Sequence, residues 1–178
     1  MNAIIENLLT RRSTRAFLQR EIPDNELNEI LQAAIYAPSG MGKQTWKFTV
    51  LCNQEKIQQL AELIGRKLGR KGYDMYRPQV LIIPSNQKEN PHGMEDNACA
   101  LENIFLAAHS FGIGSVWINQ LRTLCDDPEV RALLDEFEIP SDHVVYGMAA
   151  LGYPADAPKK KSTKSERSGL SNKTDRRF

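Results

Sequence analysis

The sequence predicts a small β-sheet wrapped by helices, in a single domain of α+β or α/β class. Segments with apolar residues at helical spacing alternate along the chain with short apolar runs of strand length. A chain of 178 residues is long enough for one full domain and short for two. We expect that domain over residues 1–158. A basic tail over residues 159–178 follows, either packed on a partner subunit or partly disordered.

Five segments carry a helical pattern. The second shows it most fully, because Asp24 is the expected N-cap, apolar residues recur on one face, and Pro38 and Gly40 end the helix. In the last one, Asp127 is the expected N-cap and Pro128 occupies the first helical position. The predicted helices cover residues 3–9, 24–35, 57–68, 95–111 and 127–137.

Four short apolar runs predict strands, over residues 48–52, 80–83, 112–118 and 144–151. Residues 86–93 are polar and contain Pro91 and Gly93, which predicts a loop. The helix over residues 95–111 is apolar around most of its circumference, a pattern typical of a helix buried on more than one side. In a chain this short, a second copy of the same helix is one natural way to bury it, so the pattern favours a homodimer.

The composition argues against several classes of function. The formal net charge is +1, which gives no overall attraction to nucleic acid or to an anionic membrane. No apolar run is long enough to span a bilayer, and the N-terminus does not have the pattern of a secretory signal. The three cysteines and three histidines have no metal-binding spacing, so we expect no metal site, reduced thiols and a cytoplasmic location.

Residues 11–15, Arg-Arg-Ser-Thr-Arg, form the first candidate site. Guanidinium groups bind phosphate through paired hydrogen bonds, and a neighbouring hydroxyl adds a neutral donor. The alternative interpretation is a solvated basic turn. The tail around Lys161 and Lys164 is likewise either a solvated surface or a source of cations for an anion bound elsewhere.

Residues 37–46 form the second candidate, between a predicted helix and a predicted strand. Gly40 and Gly42 permit close approach of the backbone to a ligand, while Ser39 and Gln44 supply donors and acceptors. The alternative is an ordinary helix-to-strand loop. The segment is not a phosphate-binding P-loop, because the required spacing, the preceding strand and a Ser or Thr after Lys43 are missing.

No set of side chains forms a recognisable acid, base or nucleophile, so we expect no catalytic residue and a cofactor that carries the reaction. Four segments, in this order, resemble the nitroreductase family of flavoproteins: residues 11–17, residues 37–46, residues 106–118 and residues 151–154. The resemblance covers nearly the whole domain. It implies the α+β class, with a small mixed sheet flanked by helices, a homodimer with FMN at the subunit interface, and NADH or NADPH as co-substrate.

The resemblance also assigns cofactor contacts by position. Arg11, Arg12 and Ser13 would hold the FMN phosphate and ribityl chain, and Arg15 would lie near the N1/O2 edge of the ring. The partner subunit would supply the residues close to the ring, which are Pro38, Ser39 and Gly40.

Three further groups are assigned in the same way. Gln44 would lie near the ring edge, Asn119 and Gln120 match the segment whose backbone faces flavin N5, and Lys161 and Lys164 match a basic slot for the phosphate. Three positions depart from the family pattern: Gly42 stands where an Asn is usual, Thr45 where a Pro is usual before Trp46, and Thr163 near the place where an Arg is often found.

The function expected from the resemblance is hydride transfer from a nicotinamide through flavin N5 to a nitroaromatic or quinone-like acceptor, in two steps. Other flavin reactions on the same fold, such as dehalogenation, azoline oxidation or flavin fragmentation, are alternatives. A non-catalytic flavin- or anion-binding regulator is a third.

Overall fold

A five-stranded sheet lies between two layers of helices in the computed structural model, which describes residues 2–156. The strand order is β1-β2-β5-β3, with β4 also beside β2, and every ladder between these strands is antiparallel. A parallel bridge between Ser13 and Ser115 makes the sheet mixed. The strands are β1 (Trp46–Leu51), β2 (Val80–Gln87), β3 (Gly114–Ile118), β4 (His143–Val144) and β5 (Met148–Gly152). The α+β class is confirmed.

Five α-helices surround the sheet, at the positions that the periodic apolar residues predict. Asp127 caps the last of them, since its carboxylate accepts the backbone N–H groups of Glu129 and Val130 at 3.1 and 3.2 Å. Within residues 2–156, no helix combines the length and apolar character needed to cross a membrane. The helices are α1 (Ala3–Thr10), α2 (Asp24–Ile35), α3 (Gln54–Lys67), α4 (Gly93–Ser110) and α5 (Pro128–Glu136).

Three predicted boundaries are wrong. Pro23, not Asp24, is the N-cap of α2, and Asp24 is its first helical residue. Strand β2 continues through Asn86 into the predicted loop, because the Asn86 amide is buried and hydrogen-bonded. The predicted last strand is divided into β4 and β5. Gly147 lies at this break, directly against the indole ring of Trp117.

Two apolar cores pack on opposite faces of the sheet. Side chains of α3 and α5 fill one core, and side chains of α2 and α4 fill the other. Leu101, Ile104 and Ala108 of α4 are fully buried there. Because α2 and the sheet of the same chain supply much of this burial, the apolar circumference of α4 does not by itself require a second copy.

The segment after α1 is attached along the edge of the sheet. Its backbone bonds join Thr14 N–H to the Ser115 carbonyl at 2.9 Å and Leu18 N–H to the Tyr153 carbonyl at 2.8 Å. Ala155 N–H donates in turn to the Ala16 carbonyl at 2.9 Å. These bonds hold residues 13–18, which we call the edge segment, against β3 and the end of β5.

Gly114 allows the edge segment to lie this close. A Cβ atom built at Gly114 would stand 2.5 Å from Oγ1 and 2.7 Å from Cβ of Thr14. Thr14 cannot retreat without loss of its backbone bond to Ser115, so a larger residue at position 114 would separate the edge segment from β3.

We therefore expect Gly114→Ala to lower the free energy of unfolding by about 1–3 kcal/mol, the usual cost of overpacking. Urea unfolding followed by circular dichroism measures the change. Gly93→Ala is the matched control, because the nearest atoms to a Cβ there lie at 3.4 Å, an ordinary contact distance. Equal stability of the two variants would contradict the packing argument.

Candidate functional site

A cavity of about 700 Å³ opens beside the edge segment. Its volume falls within the range of about 300–1,000 Å³ that is usual for small-molecule and cofactor pockets. The predicted phosphate residues Arg11, Arg12, Ser13 and Arg15 all line it. Among residues 2–156, the lining consists of residues 10–16, His109, residues 112–115, Pro154 and Asp156.

The cavity is rich in positive charge. Arg12 Nη1 donates to the Leu9 carbonyl at 2.8 Å and to the Arg11 carbonyl, and the Arg11 guanidinium lies 6.0 Å from the centre of the Phe105 ring. Within residues 2–156, Arg11, Arg12 and Arg15 form no salt bridge. Of the described residues in the lining, Asp156 alone carries a carboxylate. Guanidinium groups without a carboxylate partner suit an anionic ligand.

Hydroxyl groups complete the donor set. Ser115 is 1% exposed, and its hydroxyl has no hydrogen-bond partner in the described part of the chain. A buried, unpaired polar group is costly, so a ligand that bonds to it would be stabilised. Three guanidiniums, several hydroxyls and a roomy cavity therefore fit a phosphorylated ligand such as FMN.

His109 is a member of this site that the sequence did not reveal. Its Nε2 atom lies 2.9 Å from the Thr10 hydroxyl, and the ring lines the cavity beside the arginines. Burial lowers the pKa of His109, and the nearby charges of Arg11 and Arg12 lower it further. A bound anion would act in the opposite direction.

The second predicted group, Pro38, Ser39, Gly40 and Gln44, does not line this cavity. These residues lie on the loop between α2 and β1, and the loop contains the short 3-10 turn Gly40–Gly42. Pro38 and Gln44 are exposed, whereas Ser39 and Gly40 are half-buried. In a single chain, the two predicted groups therefore form separate surfaces.

Asn119 and Gln120 follow β3 and also lie outside the cavity lining. The Gln120 Oε1 atom accepts the Asn119 backbone N–H and the Tyr73 hydroxyl, both at 3.0 Å. Burial, with a contribution from nearby Tyr76, raises the pKa of Tyr73 to about 12, so its hydroxyl stays protonated as the donor. Lys161 and Lys164 lie outside the described residues.

Another groove, of about 640 Å³, lies between α3 and α5. Arg66 of its lining is bonded to Glu129 at 2.5 Å, and the adjacent Lys67 pairs with Asp127 and Glu129 at 2.9 Å. Arg70 and Lys71 also line the groove, and neither forms a salt bridge within residues 2–156, but Glu62, Glu129 and Glu136 belong to the same lining. These carboxylates make the groove a weaker anion site than the cavity. No cluster of metal-binding side chains occurs within residues 2–156.

Known proteins similar to this chain point to one family. The nitroreductase family profile matches residues 8–79 and 67–153. A crystal structure of a nitroreductase with bound FMN from Bacteroides fragilis is 42% identical to this chain, with a TM-score of 0.89. The match covers 97% of this chain and 98% of that one.

Relatives in sequence carry related names. An Archaeoglobus fulgidus protein, provisionally named as an NADH dehydrogenase/NAD(P)H nitroreductase, is 32% identical over 158 residues, which is 88% of each chain. The NADPH-flavin oxidoreductase of Vibrio harveyi is 28% identical over 172 residues, covering 90% of this chain and 70% of that protein.

Half-buried His109 and buried His143 make stability depend on pH. Burial lowers the pKa values of His109 and His143 below their ordinary value of 6.5. Below that pH the unfolded chain binds more protons than the folded protein, so the free energy of unfolding should decrease as the pH falls from 6.5 through the two folded pKa values. Urea unfolding from about pH 8 to about pH 5 measures the decline.

The double variant His109→Gln, His143→Gln should flatten that decline, because glutamine does not titrate. An unchanged slope in the double variant would mean that other groups are responsible.

Proposed function

We propose that this chain, which belongs to the nitroreductase family, is an FMN-dependent NAD(P)H oxidoreductase. Its reaction would pass hydride from NADH or NADPH, through bound FMN, to a nitroaromatic or quinone-like acceptor. The observation that carries the proposal is the cavity with three guanidiniums free of salt bridges within residues 2–156. The 42% identity to an FMN-bound nitroreductase supports the choice of ligand.

Bound FMN would supply the redox chemistry, since it accepts a hydride from the nicotinamide and returns two electrons to the acceptor. The protein itself would bind and orient the FMN. Arg11, Arg12 and Ser13 would hold the phosphate through charge-assisted hydrogen bonds, and the Ser115 hydroxyl offers a further donor. Arg15 would stabilise the negative charge of the reduced ring at its N1/O2 edge. No side chain need act as acid or base for hydride transfer.

We infer that two copies of the chain form the functional unit. Helix α1 has no buried residue, although four of its eight residues are large and apolar. Tyr36 and Met41, near the loop between α2 and β1, are 84% and 82% exposed. Contiguous exposed apolar side chains mark protein interfaces. The four large apolar residues of α1, all exposed, are Ile4, Ile5, Leu8 and Leu9.

A homodimer would also give each site its missing residues. Pro38, Ser39, Gly40 and Gln44 lie outside the cavity of their own chain and would reach the ring bound by the partner subunit. Asn119 would have to exchange its bond with the Gln120 side chain for one with flavin N5.

Lys161 and Lys164 would add cations at the phosphate if residues 159–178 pack on the partner subunit. The chain would act in the cytoplasm, where its three free cysteines stay reduced.

The first experiment tests the identity of the cofactor and of the electron donor. The purified protein should be yellow and release FMN on denaturation. Anaerobic stopped-flow mixing with NADH or NADPH should bleach the flavin band, and nitroaromatic or quinone acceptors should restore it. Flavin that neither nicotinamide reduces would exclude the proposed reaction.

Arg15→Gln should lower the midpoint potential of the bound flavin. Loss of one charge-assisted hydrogen bond, about 1.5–3 kcal/mol, corresponds to about 30–65 mV for a two-electron couple. Dye-equilibrated reduction measures the shift. Arg20→Gln is the control, because the Arg20 guanidinium lies 3.9 Å from the centre of the Tyr153 ring and does not line the cavity. An equal shift in both variants would argue against contact between Arg15 and the ring.

Leu8→Asp should convert the dimer to monomer and weaken FMN binding, since a carboxylate in an apolar interface is strongly unfavourable. Light scattering coupled to size exclusion gives the mass. Leu68→Asp, at a partly exposed apolar residue after α3, should leave both properties unchanged. A wild-type monomer that binds FMN fully would contradict the shared site.

A further inference from the structure

We propose that Asp96 is a positioning residue, whose buried carboxylate holds the loop between α2 and β1 in the shape that meets the flavin ring. This inference rests on the proposed function, because it concerns the part of the site that the partner subunit would supply. Asp96 would not touch the cofactor itself. Its role would concern the ring end of the flavin site and not the phosphate end, so the two ends can be tested separately.

The carboxylate of Asp96 is buried and bonded directly to the loop. Asp96 is 3% exposed, and its Oδ1 atom accepts the Gly40 backbone N–H at 2.7 Å. Its Oδ2 atom accepts the Asn90 side-chain amide at 3.1 Å. No cation pairs with it within residues 2–156. It lies in the first turn of α4, where the helix dipole favours a negative charge. The loop backbone thus provides one of the donors that keep this charge buried.

The side-chain amide of Asn90 also fixes a second contact with the loop. Asn90 Oδ1 accepts the His92 backbone N–H at 3.0 Å, and the His92 ring fills the space that a side chain at Gly40 would occupy. A Cβ atom at Gly40 would lie only 2.5–2.7 Å from three carbon atoms of His92. Gly40 is therefore held by a hydrogen bond and by direct packing.

The far end of the loop joins the same network. The Thr45 hydroxyl donates to Asn86 Oδ1 at 2.6 Å and accepts from Asn90 Nδ2 at 2.9 Å. The Asn86 amide donates to Asn97 Oδ1 at 3.3 Å, and Asn97 donates to the Pro84 carbonyl at 3.1 Å. The loop is thus bonded at Gly40 and at Thr45 to one buried polar cluster at the end of β2.

Between these two attachments the loop projects into solvent in an uncommon conformation. Met41 is 82% exposed and has a φ of 57°, and Gln44 has a φ of 49°. Residues other than glycine seldom adopt such angles unless the surrounding structure imposes them. Weakening the cluster should let the loop relax, with an effect on the ring end of the flavin site and none on its phosphate end.

Asp96→Asn tests this separation. The new amide would face the Asn90 amide, donor against donor, so one of the two side-chain bonds is lost. We expect the dissociation constants of FMN and riboflavin to rise by the same factor, about tenfold. The visible circular dichroism of the bound flavin should change as well. Arg12→Gln should instead raise the dissociation constant of FMN much more than that of riboflavin, because riboflavin lacks the phosphate.

Glu95→Gln is the matched control, since it removes an exposed carboxylate from the same helical turn. Should Asp96→Asn fail to fold, Thr45→Val decides the test. This variant removes the hydroxyl that bonds the loop to Asn86 and Asn90, so it should raise the dissociation constants of FMN and of riboflavin.

The outcomes separate the inference from the proposed function. If wild-type protein does not bind FMN, the proposed function fails. If wild-type protein binds FMN and is reduced by NAD(P)H, but Asp96→Asn and Thr45→Val match it in affinity and spectrum, the positioning role alone is rejected. If Asp96→Asn raised the dissociation constant of FMN and not that of riboflavin, the positioning role would also be rejected.

Discussion

The attachment of the edge segment to the sheet is the constraint on which the site depends. Three backbone bonds, from Thr14, Leu18 and Ala155, fix residues 13–18 against β3 and the end of β5. They bring the guanidiniums of residues 11–15 to the wall formed by Gly112–Ser115, which is the wall of the cavity. Without this attachment, residues 11–15 would not be held against the sheet. The charges of the arginines would then be solvated rather than concentrated around the cavity.

Two kinds of polar group in the molecule have opposite consequences. Around the cavity, three guanidiniums form no salt bridge within residues 2–156 and the buried Ser115 hydroxyl has no partner there, which favours a ligand with acceptor atoms. Around Asp96, buried amides satisfy one another and the loop backbone, which favours a single conformation. One region is built to receive a molecule, and the other to hold a shape.

Local sequence predicts most of the helices and strands, and it singles out the arginine cluster that the fold places in the wall of the cavity. Periodic apolar residues define α2, α3 and α5, and three arginines within five residues predict an anion site. His109, Ser115 and Asp96 could not be predicted, since their roles depend on partners far away in sequence, such as Thr10 for His109 and Gly40 for Asp96. The end of β2 is also not predictable from local sequence. The polar residues after Ile83 suggest a loop, and β2 continues there only because the rest of the fold buries Asn86.

The edge segment also determines when the site can exist during synthesis. Its bonds join residues 14–18 to Ser115, Tyr153 and Ala155, so the cavity walls come from both ends of the described chain. A nascent polypeptide therefore lacks the cavity until nearly the whole domain has left the ribosome. A ligand can stabilise only chains that have passed this point, so cofactor capture would favour finished molecules over truncated ones.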